Sequence, residues 1–188
     1  MITLTFGAFL YLSFNKISFE SRPLYTTKIG KLKNFSECYK ECKVTFVELE
    51  ATNSYDMETV NKLSEKWGED AKYIRAISTA ANWMGVENFR NIRIFALTIQ
   101  KNNFEKLHPS GIIGIAEARD KKPKSTVLWH LQVNPKAISI GATSKTSHKG
   151  VGTTILTSLK KIYNKIKLNS EENPLVRQFY LKNGFKVN

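Results

Sequence analysis

His148-Lys149-Gly150-Val151-Gly152-Thr153-Thr154 is the stretch whose reading decides the fold. It lies between an extended run and a helical pattern in which Val151, Ile155, Leu159 and Ile162 share one face. Two glycines two apart let the backbone turn tightly and come close to a ligand. The helix start leaves N–H groups unpaired and carries a partial positive charge. Together these make a seat for a pyrophosphate, and Lys145 and Lys149 add charge at its mouth. The stretch is not a dinucleotide fingerprint, because threonines follow Gly152 where a third glycine would be needed. Nor is it a P-loop, which needs Gly-Lys-Ser/Thr after its second glycine. Gly-x-Gly alone also fits a turn that merely opens a helix, so both readings stand at this point.

Working outward, residues 165–169 read as a short strand. Pro174 suits the first turn of a further helix that carries Leu175, Phe179 and Tyr180 and ends at Asn183-Gly184. Upstream, residues 92–100, 111–119 and 126–133 are β-branched, strand-like runs, the last stopped by Asn134-Pro135. Residues 43–50 read as another strand. Asn53 or Ser54 offers an N-cap for a helix with Met57, Val60, Leu63 and Trp67 on one face. A second stripe runs Ala71, Ile74, Ile77, Ala81 and Met84. Residues 2–14 alternate strictly, with Ile2, Leu4, Phe6, Ala8, Leu10, Leu12 and Phe14 of one parity, which predicts strand. The order predicts one mixed α/β (α+β) domain.

The chain has 188 residues, 41% of them apolar, enough for one core of ordinary size. Its formal net charge is +13. A surplus of that size suits a polyanion (nucleic acid, an acidic protein, a membrane surface or a phosphorylated cofactor) or simply a basic soluble protein. No RNA-reading motif or interleaved aromatic patch accompanies it. Cys38 and Cys42 would share one side of a helix. The three histidines are scattered, so paired thiols in a reducing cytoplasm are expected rather than a zinc site. The apolar start lacks a basic flank and a cleavage site and is too short to span a bilayer, so neither a signal peptide nor a membrane anchor is expected.

Asn173-Pro174-Leu175-Val176-Arg177-Gln178-Phe179-Tyr180-Leu181-Lys182-Asn183-Gly184-Phe185, taken with the opening heptapeptide, resembles the GNAT acetyltransferase superfamily. That family shows Arg/Gln-x-x-Gly-x-Gly/Ala at its third helix, then an Asn, a Phe-Tyr and a Gly-Phe in this spacing. Leu131-Gln132-Val133-Asn134-Pro135 resembles its fourth strand and the turn that follows. The resemblance covers roughly residues 43–187, its motifs lying in 131–185. It implies a mostly antiparallel central sheet flanked by helices and splayed at the family's strands 4 and 5. Residues 43–188 would then be the acyltransferase domain and residues 1–42 an N-terminal extension packed on it. The run at 2–14 would supply sheet edge where the family continues beyond the position of Asn188.

The resemblance also implies the chemistry. Acetyl-CoA would be the cosubstrate, and the acceptor an amine-bearing small molecule or protein. Backbone groups of Leu131 and Val133 would pair with the pantetheine arm. The amides of His148, Lys149, Gly150, Val151, Gly152 and Thr153 would hold the pyrophosphate, and Asn173 would touch the cofactor. Tyr180 would give a proton to the departing thiolate. Where many members carry a basic Glu or His on the fourth strand, this chain has Val127 and Trp129. His130 is one residue out of step, on the opposite face of a regular strand, which makes it a weak candidate; Glu117 is the better one, or else an ion-paired carboxylate beside Arg119, and a water relay or no dedicated base stays open. Ser147 stands where the family prefers Arg or Gln, and residues 136–146 form an insertion. These departures keep a non-catalytic acyl-CoA- or polyanion-binding module of the same fold in view. A cytoplasmic monomer or homodimer is expected, its acceptor cleft drawing on Trp67, Tyr73, Trp83 and Glu117.

Overall fold

The computed structural model describes residues 22–32, 39–135, 148–168 and 173–186. The elements in chain order are β1 (Arg22–Leu32), β2 (Tyr39–Glu48), α1 (Ser54–Trp67), α2 (Ile74–Trp83), β3 (Ile92–Thr98), β4 (Ile112–Lys122), β5 (Ser125–Val133), β6 (His148–Lys149), α3 (Val151–Ile162), β7 (Lys165–Leu168) and α4 (Pro174–Lys182). Among these residues the strands form one sheet in the order β6-β1-β2-β3-β4-β5-β7. Every neighbouring pair is antiparallel except β5 and β7. The fold is thus the expected mixed α/β one, a mostly antiparallel sheet flanked by helices.

Each face of the sheet buries its own apolar cluster. On one, Val60, Leu63 and Trp67 of α1 and Ile74, Ile77 and Ala81 of α2 pack on Val47, Ile94 and Ile115. On the other, Val151, Ile155 and Leu159 of α3 pack on Phe46, Phe95, Leu97 and Ala116. The helical stripes in the sequence are therefore core. Each fully buried large side chain contributes about 1.5–3 kcal/mol. Asn53 is the N-cap of α1. Its Oδ1 accepts from Tyr55 N–H at 3.0 Å and its Nδ2 donates to the Glu105 carbonyl at 3.2 Å, so one buried side chain also ties down the loop before β4.

Two expectations need correction. Residues 22–32 form β1, a full partner of β2, so the boundary expected after residue 42 falls within a strand. Cys42 lies in β2 opposite Ile29, not on a helix. The alternation of Val44, Phe46 and their neighbours carries the strand back to Tyr39, overriding the helical reading of the cysteine spacing. The runs at 2–14 and 136–146, with Cys38, Lys145 and Ser147, lie outside the described residues.

The lower end of the sheet is closed by a polar network. Arg93 donates from Nε and Nη2 to the two Glu48 carboxylate oxygens at 2.6 and 2.7 Å, and from Nη1 to the Tyr163 hydroxyl at 2.9 Å. Burial pushes the Tyr163 hydroxyl pKa up, so it stays neutral within that network. No helix among the described residues is long and apolar enough to cross a membrane.

Candidate active site

The mouth of α3 comes first. Gly150 is its N-cap, with φ 84°, ψ 11° and no side-chain cap. Only glycine adopts that left-handed conformation without strain. A Cβ placed there meets nothing within 4 Å, so the backbone is open to a ligand. Thr154 N–H donates to the Gly150 carbonyl at 2.9 Å. Helix geometry leaves the N–H groups of Val151, Gly152 and Thr153 ahead of it without intrahelical acceptors. Gly152 serves a different purpose. A Cβ there would lie 2.9 Å from Phe179 Cζ and 3.7 Å from Val133 Cγ2, so its bareness lets α4 and β5 close on the first turn of α3.

β2 pairs with β3 only from Thr45 to Glu48, so the outer half of the β1–β2 hairpin runs past β3. β6 pairs with its tip, His148 opposite Lys31 and Lys149 opposite Gly30. His148 is buried there, while Lys149 is exposed. Of the heptapeptide, then, the open backbone begins at Gly150.

β5 and β7 run parallel from Ser125–Lys165 to Leu128–Leu168. Among the described residues, Trp129–Val133 has no strand partner on that side. Asn134 N–H donates to the Ile113 carbonyl of β4 at 3.0 Å. Strand alternation then turns the backbone groups of Leu131 and Val133 away from β4. The Val133 carbonyl also accepts from Gln132 Nε2 at 2.9 Å. Phe179, Tyr180 and Phe185 pack on the same apolar cluster as Leu131, Val133, Ile166 and Leu168. The Tyr180 ring stands edge-on to Phe179 and Phe185, at centroid distances of 5.2 and 5.7 Å. Asn173 caps α4, its Oδ1 accepting from Leu175 N–H at 2.9 Å.

On the opposite face, one irregularity reorganises the site. Ala118 pairs with Leu128 and Glu117 with His130, so Trp129 is the extra residue of a bulge. A bulge of this type turns two consecutive residues to one side. The face argument against His130 fails for that reason. His130 Nδ1 lies 2.7 Å from Glu117 Oε2, and Arg119 Nε lies 2.7 Å from Glu117 Oε1. The Glu117 side chain is 0% exposed and has both oxygens engaged, whereas the His130 side chain is 20% exposed. A carboxylate accepts, so a proton on Nδ1 would be held by Glu117, and the tautomer that carries it there would leave Nε2 as the ring's lone pair. Tyr73 stacks on the imidazole at 5.3 Å.

His130 lines a cleft of about 350 Å³ between α2 and the sheet, with Arg119, Trp129, Trp83 and Phe89. Trp67, expected near an acceptor, belongs to the core beneath α1. Sequence periodicity could not find the Glu117–His130 pair, because a bulge has no strong local signature. A histidine one step out of register across from a carboxylate was the available hint.

No protein-family model matches the chain, and no curated protein matches it. Among solved structures it is similar to the PaiA N-acetyltransferase of Thermoplasma acidophilum in complex with coenzyme A. Identity is 21%, over 77% of this chain and 91% of that one, with a TM-score of 0.46. It is also similar to a GNAT-family acetyltransferase of Streptococcus pneumoniae (18%, covering 77% and 88%, TM-score 0.39). A third is the ribosomal-protein-alanine N-acetyltransferase of Brucella melitensis (14%, covering 74% and 89%, TM-score 0.42). These likenesses are distant, and the functional reading rests on this chain's own residues. In element order and in its mostly antiparallel sheet flanked by helices, the chain is GNAT-like in fold.

Proposed function

We propose that this chain is an acetyl-CoA-dependent N-acetyltransferase acting by direct attack of an amine on the thioester. The observation that carries this reading is the convergence of three features at one end of the sheet. They are the start of α3 at Gly150, with no side-chain cap among the described residues, the Trp129–Val133 edge of β5 beyond its described pairing with β7, and Tyr180, packed on the same apolar cluster as Leu131 and Val133.

Acetyl-CoA would lay its pyrophosphate on the amides of Gly150 to Thr153, with Lys149 adding charge. Its pantetheine arm would pair with the Leu131 and Val133 backbone as an added strand. Leu131 directly follows His130, so the thioester would lie one residue from the histidine. The acceptor arrives as R–NH3⁺ and must lose a proton to become a nucleophile. His130 Nε2, oriented by Glu117, serves as base for the amine. The nitrogen attacks the carbonyl carbon, a C–N bond forms and the C–S bond breaks. The thiolate takes a proton from the Tyr180 hydroxyl. In sum, R–NH3⁺ and acetyl-S-CoA give R–NH–CO–CH3, HS-CoA and one proton. Glu117 is thus a positioning residue, and the base is the histidine it holds.

The test is release of free thiol from acetyl-CoA over a panel of amines. Amine-dependent release that disappears in Tyr180→Phe, with CoA binding intact, supports the reading. CoA binding with no transfer to any amine would replace the enzyme with a non-catalytic acyl-CoA-binding module.

A further inference from the structure

The acceptor cleft has a composition of its own. The chain has three tryptophans. Trp67 is core, but Trp83 and Trp129 stand 47% and 48% exposed, and both line the cleft. Phe89 stacks on Trp83 at 5.2 Å, and Ala76 and Ala80 leave the α2 wall low. Exposed aromatics gathered at one concavity mark a recognition site, because each leaves apolar area in water that a ligand would cover.

The polar part is equally specific. Arg119 and His130 are held by the two oxygens of one carboxylate, so a fixed cation and a fixed base stand side by side. The Arg119 guanidinium carbon lies over Trp129, 3.8 Å from the ring centroid, and Glu117 takes only its Nε–H, so two further NH2 groups are its remaining donors. Among the described residues no carboxylate lines the cleft. A polyamine, which carries several positive charges, would meet a cation and no anion there.

We propose that the acceptor is a free aromatic α-amino acid. Its carboxylate meets Arg119, its amine faces His130, and its ring lies among Trp83, Phe89 and Trp129. The α-amino and α-carboxylate groups sit on one carbon, which matches a cation and a base held by a single carboxylate. The cleft's volume of about 350 Å³ is at the small end of ligand pockets and suits one such molecule. The inference rests on the acyltransferase reading for its chemistry, but not for the binding itself.

Two measurements separate the two claims. First, phenylalanine is titrated without cosubstrate while tryptophan fluorescence is followed. Saturable quenching that is lost in Trp83→Leu and weakened in Arg119→Gln is expected. Second, thiol release is compared for phenylalanine, phenylalanine amide, phenethylamine and spermidine. Phenylalanine should exceed phenethylamine and the amide by about tenfold or more in kcat/KM, the scale of one charge-assisted contact. Arg119→Gln should collapse that ratio. Preference for spermidine, or equal rates with and without the carboxylate, would overturn the inference and leave the acyltransferase intact. Quenching by phenylalanine in a protein that binds no CoA would keep the cleft assignment and remove the enzyme. No quenching by phenylalanine at millimolar concentration would overturn the inference outright.

Discussion

The mouth of α3 and the cleft beside α2 lie on opposite faces of the same sheet and are built by opposite means. The mouth is backbone: a helix start with no side-chain cap among the described residues, a glycine at φ 84° and a strand edge turned away from β4. The cleft is side chain: an imidazole, a guanidinium and a buried carboxylate, brought together by one inserted residue at Trp129. A site made of amides has a local sequence signature, because glycines and helix starts are local. A site made by register depends on how two strands meet, which local sequence specifies poorly. The proposed pyrophosphate seat was legible for that reason, and the side-chain cluster of the cleft was not.

That contrast can be broken or sharpened by substitution. Tyr180→Phe should have the largest effect, lowering kcat about 10²–10⁴-fold with CoA affinity by calorimetry unchanged. Unchanged turnover would return Tyr180 to a packing role between Phe179 and Phe185. His130→Gln should cost about 10²-fold in kcat and flatten the acid limb of the pH–rate profile. Glu117→Gln should lower kcat less and leave that limb in place but displaced, as a positioning residue would. Identical profiles in both variants would place the base elsewhere.

Gly152→Val sits between the two regions. Its side chain would meet Phe179, so a loss of about 1–3 kcal/mol in stability is expected. Weaker CoA binding should accompany it, measured by chemical denaturation and calorimetry together. Arg93→Met is the control at the far end of the sheet. It should cost about 1–2 kcal/mol by taking both Arg93 hydrogen bonds from Glu48, which keeps Arg22 at 3.3 Å, and leave KM for acetyl-CoA as it was. A large rise in KM would mean that the two ends of the sheet are coupled. The smallest effect belongs to Gly150→Ala, about 1 kcal/mol from the positive φ, with open space around the new methyl group.

Much of the architecture was legible from local pattern. The stripes at Val60, Leu63 and Trp67 and at Val151, Ile155 and Leu159 are the buried faces of α1 and α3. Asn53 caps where a cap was expected, and Pro174 opens α4. The first strand was not legible. Arg22–Leu32 mixes Lys, Thr, Gly and Pro with few apolar residues, and only its ten-pair ladder with β2 makes it a strand. The cysteine spacing misled because a period of four fits a helix, while the neighbouring Val44 and Phe46 fit a strand and bury against Phe95. His130 was set aside on strict period-two counting, which a single bulge defeats.

The most direct test of the account compares CoA with pantetheine by calorimetry on the full chain. The account predicts saturable CoA binding that falls by at least about a hundredfold when the pyrophosphate and nucleotide are removed, since amides at the start of α3 would hold the phosphates. Equal affinity for the two, or no binding of CoA at all, would contradict it.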